Sequence, residues 1–146
     1  LVGEIIKRFE NSGLKIIGLK LLHANKELAS RHYTEELAQR RGEHVRNWNI
    51  EFISSSPVVA IAIEGVNAIE NVRKMVGDTE PKSALPGTIR GDFSHVSYSY
   101  CDSKKSVVKN VIHASANKED AERELDVWFN DKELHSYKRF DEEHMF

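Results

Sequence analysis

Residues 58–63 form an unbroken apolar run, Val-Val-Ala-Ile-Ala-Ile, which constrains the fold more than any other feature of the chain. The run is far too short to span a bilayer, and its β-branched residues favour a strand that is covered on both faces or nearly so. Such a strand needs a partner and a covering layer. Residues 14–22 favour a second strand, and residues 2–9 carry apolar side chains at helical spacing. The sequence therefore predicts a sheet covered by helices.

The remaining segments extend this pattern along the chain. Helices are predicted at residues 2–9, 26–37 (one helix or two short ones), 44–53 and 67–76 and from residue 117 onward; strands are predicted at residues 14–22, 58–63, 93–100 and 107–113. Residues 78–90 are predicted to be a long loop, and loops of this length without regular structure are usually functional or mobile. The order of the elements indicates an α+β sandwich with helices on one sheet.

Composition narrows the possible functions. The 146 residues suit a single domain spanning residues 1–146, and the charged tail after about residue 137 is expected to be loosely ordered. The net charge is −2, with both signs interspersed, which argues against a dedicated nucleic-acid surface. No apolar segment is long enough for a membrane. Cys101 is the only cysteine, so an intrachain disulfide is excluded, and we expect a cytoplasmic location.

Residues 110–115 combine the groups most suited to chemistry. His113 ends a predicted strand and precedes a predicted helix, and ligands commonly bind at such an edge of a sheet. An imidazole can act as a nucleophile near neutral pH. A structural histidine held by hydrogen bonds explains the same position, and both readings stay open on these residues alone. Glu124 lies on the face of the last helix that carries Ala121 and Trp128, where it is either a boundary carboxylate or the partner of a buried group.

Two arginines flank the long loop. Arg73 lies on the preceding helix and Arg90 at the far end of the loop, and guanidinium groups suit bidentate contact with phosphate. Thr79 begins the loop and can donate a hydroxyl hydrogen bond, although it is equally explained as a turn residue. Solvated arginines are common, so these residues alone do not decide the matter.

Residues 110–115 read Asn-x-x-His-x-Ser, and residues 85–93 read Leu-Pro-Gly-Thr-Ile-Arg-Gly-Asp-Phe. Together these two motifs resemble the signature of nucleoside diphosphate kinases. The resemblance extends from Leu1 to about Tyr137. It implies a ferredoxin-like βαββαβ sandwich with extra helices. The family's first strand ends in Lys-Pro-Asp and lies at the centre of its sheet; neither feature precedes residues 2–9 here, so we expect that strand to be missing from this sequence.

The resemblance also assigns roles. His113 would take the γ-phosphate of a nucleoside triphosphate such as ATP and pass it to a nucleoside diphosphate, while Glu124 and Ser115 hold its ring. The nucleotide-binding residues would be Arg73, Thr79 and Arg90 at the phosphates, Asn110 at the ribose and Tyr33 near the phosphorylation site. Mg²⁺ would be held mainly by the phosphates, with no confident side-chain ligand. The implied protein is a homo-oligomer, a hexamer or a tetramer, with no membrane partner.

Several positions depart from the family pattern. Ala114 and Ala116 stand where the family often has glycine and aspartate. The family's base-stacking phenylalanine has no clear counterpart, and Val45 or a neighbour would provide the apolar platform. The connection at residues 94–109 is longer than usual, and we favour a surface hairpin there over a contact with a neighbouring subunit. The alternatives to a kinase are a nucleotide-binding regulatory relative without turnover and a structural scaffold domain.

Overall fold

The sheet that the sequence predicts is formed by two antiparallel strands, β1 Lys15–Leu22 and β2 Val58–Glu64, in the computed structural model, which describes residues 1–140 and 142–145. Leu22 is paired with Val58 at one end, and Lys15 is paired with Glu64 at the other. The register shifts between Ile16 and Gly18. The two strands expected at residues 14–22 and 58–63 are therefore confirmed.

Helices make up most of the remaining regular structure. They are α1 Val2–Asn11, α2 Lys26–His32, α3 Glu35–Arg41, α4 Glu43–Ile53, α5 Ala68–Val76, α6 Ile89–Phe93, α7 Tyr98–Ser103, α8 Lys118–Trp128 and α9 Glu142–Met145, with 3₁₀ turns at Pro81–Ser83 and Asp131–Glu133. The helices predicted at residues 2–9, 44–53, 67–76 and 117 onward are confirmed, and the segment at 26–37 is two short helices. Together with the sheet they confirm the α+β class.

One apolar cluster holds the part of the chain that carries His113. Its buried members are Ile5, Phe9, Leu14, Val76 and Ile89, from α1, α5, α6 and the residue before β1. Ile5 and Phe9 meet on one side of α1 because residues four apart lie on the same helix face. Ile112 and Ala114 pack against the cluster, whereas the side chain of His113 between them is 46% exposed. The two neighbours thus anchor a backbone that presents His113 outward.

Helices α2 and α8 meet beside His113. Asn117 caps α8, its side-chain oxygen accepting the Asp120 amide at 2.8 Å. Arg123 of α8 donates to the main-chain oxygens of Arg31 and His32, at 3.2 and 3.3 Å. A cation at the C-terminal end of a helix satisfies its last carbonyls, so this contact ties the end of α2 to α8.

The edge strand expected at residues 93–100, and with it the surface hairpin, is wrong. Helix α6 ends at Phe93 and α7 begins at Tyr98. The hydroxyl of Ser97 accepts the Tyr100 amide at 3.2 Å, and Glu80 accepts the Tyr98 amide at 2.8 Å. These side chains satisfy the first amides of a helix, which the short alternation of tyrosine and valine did not reveal.

The strand expected at residues 107–113 is also wrong. Two three-residue turns replace it: the Asn110 amide donates to the oxygen of Val108 at 3.0 Å, and the Ile112 amide donates to the oxygen of Asn110 at 2.9 Å. Val111, at the centre of the second turn, has a φ of +74°, which a β-branched residue rarely adopts. The guanidinium of Arg90 donates a hydrogen bond to the main-chain oxygen of Ile112. Both main-chain groups of Ile112 are thereby used outside any sheet ladder.

The tail after Tyr137, expected to be loosely ordered, contacts the region of β1. The Tyr137 hydroxyl donates to the oxygen of Ile16 at 2.7 Å, and Arg139 donates to the oxygen of Leu14 at 2.9 Å. Lys15 contacts Glu142 of α9 at 3.3 Å. Across the described residues, every helix is too short or too polar to cross a membrane.

Candidate active site

The imidazole of His113 is bonded to a buried carboxylate. Its Nε2 lies 3.0 and 2.9 Å from the two carboxylate oxygens of Glu124, and the Ser115 hydroxyl donates to one of them at 2.6 Å. The side chain of Glu124 is only 10% exposed. The sequence therefore identified three residues, His113, Ser115 and Glu124, that form one hydrogen-bonded group.

Helix α8 explains why Glu124 reaches this position. Ala121, Glu124 and Trp128 are spaced at i, i+3 and i+7, so their side chains lie on one face of the helix. That face is directed toward α2 and His113, as the contacts of Glu124 and Trp128 show. Helix α8, which is capped by Asn117, thus brings the carboxylate of Glu124 back to the imidazole of His113, four residues before the cap.

Glu124 stays ionised despite its burial. Burial is the largest single influence and raises its pKa, but the hydrogen bond and charge of His113, the hydrogen bond of Ser115 and the charge of His32 together lower the pKa to about 2. An ionised carboxylate only accepts hydrogen bonds, so the Nε2 of His113 must carry the proton. The neutral imidazole consequently has its lone pair on Nδ1.

His32 lies behind this pair and was missed from the sequence. The residue is 5% exposed, and its ring packs edge to face on that of His113, with centroids 4.5 Å apart and an interplanar angle of 84°. Its Nδ1 accepts the indole N–H of Trp128 at 3.1 Å. A sequence signal existed only in the i, i+3 spacing with Ala29, which places His32 on the buried side of α2.

The ring of His32 is neutral at physiological pH. Burial, followed by the charge of His113, lowers its pKa to about 4, against the opposing effect of Glu124. The 3.8 Å separation between its Nδ1 and Glu124 is therefore not an ion pair, because an ion pair would need a protonated His32.

Tyr33, which the resemblance put near the phosphorylation site, packs against His32. Their ring centroids are 4.6 Å apart. Burial, and next the charge of Glu124, raises the pKa of the Tyr33 hydroxyl to about 12, so the phenol is protonated. The ring of His32 thus contacts both Tyr33 and His113.

Arg90 is more deeply engaged than its sequence position suggested. It is 5% exposed and donates to the oxygen of Ile112 through Nη2 at 2.7 Å and Nε at 3.3 Å, and to the oxygen of Gly77 through Nη1 at 3.0 Å. Burial, and next the charge of Arg73, lowers its pKa. The three bonds leave one N–H on each terminal nitrogen for further contacts.

The other sequence-predicted residues surround the same backbone. Arg73 is exposed, and its Nη1 lies 3.5 Å from the oxygens of both Ala114 and Ser115. The side-chain Nδ2 of Asn110 donates to the main-chain oxygen of Thr79 at 3.1 Å, which links the long loop to the segment before His113. Arg73, Thr79, Arg90 and Asn110 are thus brought together around His113.

The donors near His113 do not form a metal cage. Across residues 1–140 and 142–145, the one group of three or more potential ligands is His32, His113 and Glu124, whose ligand atoms lie within 4.8 Å of one another. Contacts to Trp128 and Ser115 and the bond between His113 and Glu124 already engage these donors. The arrangement is that of a hydrogen-bonded chain. Mg²⁺ prefers oxygen ligands, so this nitrogen-rich group is a poor fit for it.

Val45 was expected to offer an apolar platform for a base. It lies half-buried on α4, and the side-chain Nδ2 of Asn49 donates to its main-chain oxygen at 2.8 Å. Its role as a platform, or that of a neighbour, stays a prediction.

Comparison with known proteins agrees with this geometry. Residues 1–134 match the family model described as nucleoside diphosphate kinase. The chain is 50% identical over 148 aligned residues to the nucleoside diphosphate kinase of Borreliella burgdorferi, covering 100% of this chain and 89% of that protein. It is 49% identical to that of Pyrococcus abyssi, covering 95% and 80%.

Solved structures give the same result. A transition-state mimic of nucleoside diphosphate kinase from Borrelia burgdorferi, with bound vanadate and ADP, superposes with a TM-score of 0.95 at 50% identity, over 97% of this chain and 85% of that one. A halophilic nucleoside diphosphate kinase from Halobacterium salinarum in complex with CDP superposes with a TM-score of 0.84 at 33% identity, over 100% of this chain and 88% of that one.

The chain therefore belongs to the nucleoside diphosphate kinase family, with that family's α+β fold. It is a phosphotransferase that moves the terminal phosphate of a nucleoside triphosphate to a nucleoside diphosphate. The two alternatives, a regulatory relative without turnover and a scaffold domain, are set aside.

Proposed function

We propose that His113 carries the phosphoryl group on Nδ1 between the two nucleotides. The observation that supports this most directly is the contact of Nε2 with both oxygens of Glu124. Because that contact keeps the proton on Nε2, the lone pair of Nδ1 is available to attack phosphorus. The half-exposed side chain leaves room for a substrate.

The proposed reaction has two balanced steps. In the first, Nδ1 of His113 attacks the γ-phosphorus of the triphosphate; the N–P bond forms, the bond to the bridging oxygen breaks, and a diphosphate leaves. In the second, a terminal oxygen of another diphosphate attacks the same phosphorus, and the N–P bond breaks. The proton on Nε2 stays in contact with Glu124 throughout, so the carboxylate offsets the positive charge that develops on the ring.

The phosphates would be bound by the residues around His113. Arg73 is exposed and lies beside the carbonyls that follow His113, so its guanidinium can turn to a phosphate at little cost. Arg90 would contribute the N–H groups that its three main-chain bonds leave over. Thr79 and Asn110 are linked at 3.1 Å, and we assign them to phosphate and ribose respectively.

Labelling with radioactive ATP tests the nucleophile. The protein should acquire an acid-labile label on histidine, with phosphorus on Nδ1, and His113→Ala should remove it. His95→Ala is the matched control, because His95 is an exposed histidine in the loop between α6 and α7. A label that survives in His113→Ala, or that sits on Nε2, would contradict the proposal.

Mg²⁺ belongs to the same proposal as a companion of the nucleotide. It would neutralise charge on the phosphate oxygens, while Arg73 and Arg90 contribute the protein's positive charge. Because the His32, His113 and Glu124 group does not suit this ion, we assign it no side-chain ligand. In equilibrium dialysis, the protein without nucleotide should bind no stoichiometric Mg²⁺, and adding ADP should introduce it.

We also propose a homo-oligomer in the cytoplasm. Leu19 and Leu21 on β1 are 51% and 71% exposed, and apolar residues exposed in pairs favour contact between copies. The only cysteine, Cys101, is buried as a free thiol, which suits a reducing compartment. Sedimentation at micromolar concentration should give a species larger than a monomer, and Leu21→Lys should shift it toward the monomer.

A further inference from the structure

His32 is a buried polar residue that the proposed phosphoryl transfer does not use. It ends α2, far from His113 in sequence, and yet its ring contacts that of His113 with centroids 4.5 Å apart. It also contacts the ring of Trp128 at 5.5 Å and that of Tyr33 at 4.6 Å. Burying an imidazole is costly unless hydrogen bonds offset the lost hydration, and the site supplies such a bond.

Two contacts determine the orientation of the His32 ring. The indole N–H of Trp128 donates to Nδ1, which requires that nitrogen to be unprotonated. Arg123 holds the main-chain oxygen of His32 from the same helix, α8. The ring is therefore fixed from α8, the helix that also carries Glu124.

His113 is bound more loosely. Its side chain is 46% exposed, and Glu124 holds it through a single ring nitrogen. A contact through one nitrogen leaves the imidazole ring free to tilt about the line that joins Nε2 to the carboxylate. A second ring packed perpendicular to it restricts this motion. The ring of His32 stands at 84° to it and supplies such a neighbour.

We propose that His32 is a positioning residue for the phosphoryl transfer: its ring, fixed by Trp128, supports the plane of the His113 ring so that Nε2 stays on Glu124 and Nδ1 stays directed at the substrate. The inference rests on the proposed role of His113 as the nucleophile. In this role the His32 ring acts by packing against the His113 ring, and it must remain uncharged. A protonated His32 would compete with His113 for Glu124, 3.8 Å away.

Two substitutions separate the ring from its hydrogen bond. His32→Phe keeps a ring against His113 and removes the acceptor for Trp128, whereas His32→Asn keeps a polar atom at the δ position and removes the ring. Cys101→Ala, at a buried position of α7 outside the apolar cluster that supports His113, serves as a control for lowered stability alone. The measurements are the single-turnover rate of phosphorylation by ATP, KM, and the ¹⁵N shifts of the His113 ring.

The ring should matter more than the acceptor. His32→Asn should slow phosphorylation on the order of tenfold with KM little changed, since misplacing a reacting atom by about 1 Å costs up to roughly a hundredfold. The Nε2–H signal of His113 should weaken in the same variant. His32→Phe should keep the rate within about threefold of the wild type, and Cys101→Ala should leave it unchanged.

Other results would overturn the inference. A wild-type rate in His32→Asn, or an equal loss in both variants with the Nε2–H signal intact, would show that the ring does not position His113. Should His32→Asn fail to fold, His32→Leu decides: it keeps a side chain of similar size but removes the flat ring and should lower the rate on the order of tenfold, and an unchanged rate excludes the mechanism. In each of these cases the wild-type protein would still be labelled on His113. If His113 is not the nucleophile, that label would be absent.

Discussion

Replacing Glu124 with glutamine tests whether its charge, rather than its shape, organises the site. Glutamine has nearly the same shape and can still accept from Nε2 of His113, but it carries no charge. It can also turn its amide so that it donates to the ring instead. The substitution therefore removes the requirement that fixes the proton on Nε2.

The size of the effect on stability follows from the pKa of Glu124. Folding lowers that pKa from 4.5 to about 2. One pKa unit corresponds to about 1.4 kcal/mol, so lowering the pKa by about 2.5 means that the ionised carboxylate contributes roughly 3–4 kcal/mol to the free energy of unfolding. Because the folded-state pKa is the lower one, this contribution is complete above about pH 4.5 and is lost as the pH falls toward 2.

Urea unfolding at pH 7 and pH 3 measures this difference. Glu124→Gln should be less stable than the wild type by roughly 3–4 kcal/mol at pH 7, and the difference should be clearly smaller at pH 3. Glu122→Gln is the matched control, since Glu122 lies on the same helix, is 68% exposed and is paired only with Lys118; surface pairs contribute about 0–1 kcal/mol.

Kinetics provide the second readout. The turnover number of Glu124→Gln should fall on the order of 10- to 100-fold, the usual cost of removing a carboxylate that orients a functional histidine. A loss of stability that is equal at pH 7 and pH 3 would refute the reasoning, because it would show that packing, not charge, is lost. Unchanged turnover would refute the assignment of the ring proton to Nε2.

Three further substitutions separate binding from folding. Arg73→Ala should weaken ADP binding by about 1.5–3 kcal/mol in calorimetric titration, the range for hydrogen bonds to charged groups, with the melting temperature nearly unchanged because Arg73 is exposed. Arg90→Ala should lower the free energy of unfolding by about 1–3 kcal/mol or more, because it leaves the carbonyls of Ile112 and Gly77 without a donor; unaltered urea unfolding would contradict this. Val111→Gly should raise the free energy of unfolding by up to about 2 kcal/mol, since a φ of +74° costs a non-glycine residue about 1–3 kcal/mol and glycine loses about 0.5–1 kcal/mol in entropy; a destabilised variant would show that the turn is unstrained.

The sequence predicted well where a pattern is local. The apolar run at 58–63 was correctly predicted to be a strand, although only Ala62 within it is buried, and the spacing of Ile5 and Phe9 on α1 needed only helical geometry. The prediction of an edge strand at 93–100 was wrong because the side chains of Ser97 and Glu80 cap a helix there. The short alternation of apolar and polar residues in this segment is equally compatible with a helix. The prediction of a strand at 107–113 was wrong because Val111 has a left-handed backbone conformation, which the β-favouring composition of the segment does not indicate.

The candidate site shows the same limit. His113, Ser115 and Glu124 lie within one short stretch, so a motif and a helix face were enough to bring them together. His32 reaches the site through the packing of α2 on α8, which no spacing within the sequence encodes. The burial of Arg90 likewise depends on a tertiary contact, with the oxygen of Ile112.

The residues proposed to bind phosphate also hold the backbone that carries His113. Arg90 bonds the carbonyl just before His113, and Arg73 approaches the carbonyls of the two residues after it. Asn110 joins the same segment to the loop at Thr79. This segment has no sheet ladder, so these side chains replace the main-chain partners that a strand would have given it. A phosphate that binds Arg73 would therefore change the contact of Arg73 with the main-chain oxygens of Ala114 and Ser115. Nucleotide binding is coupled in this way to the position of the His113 ring.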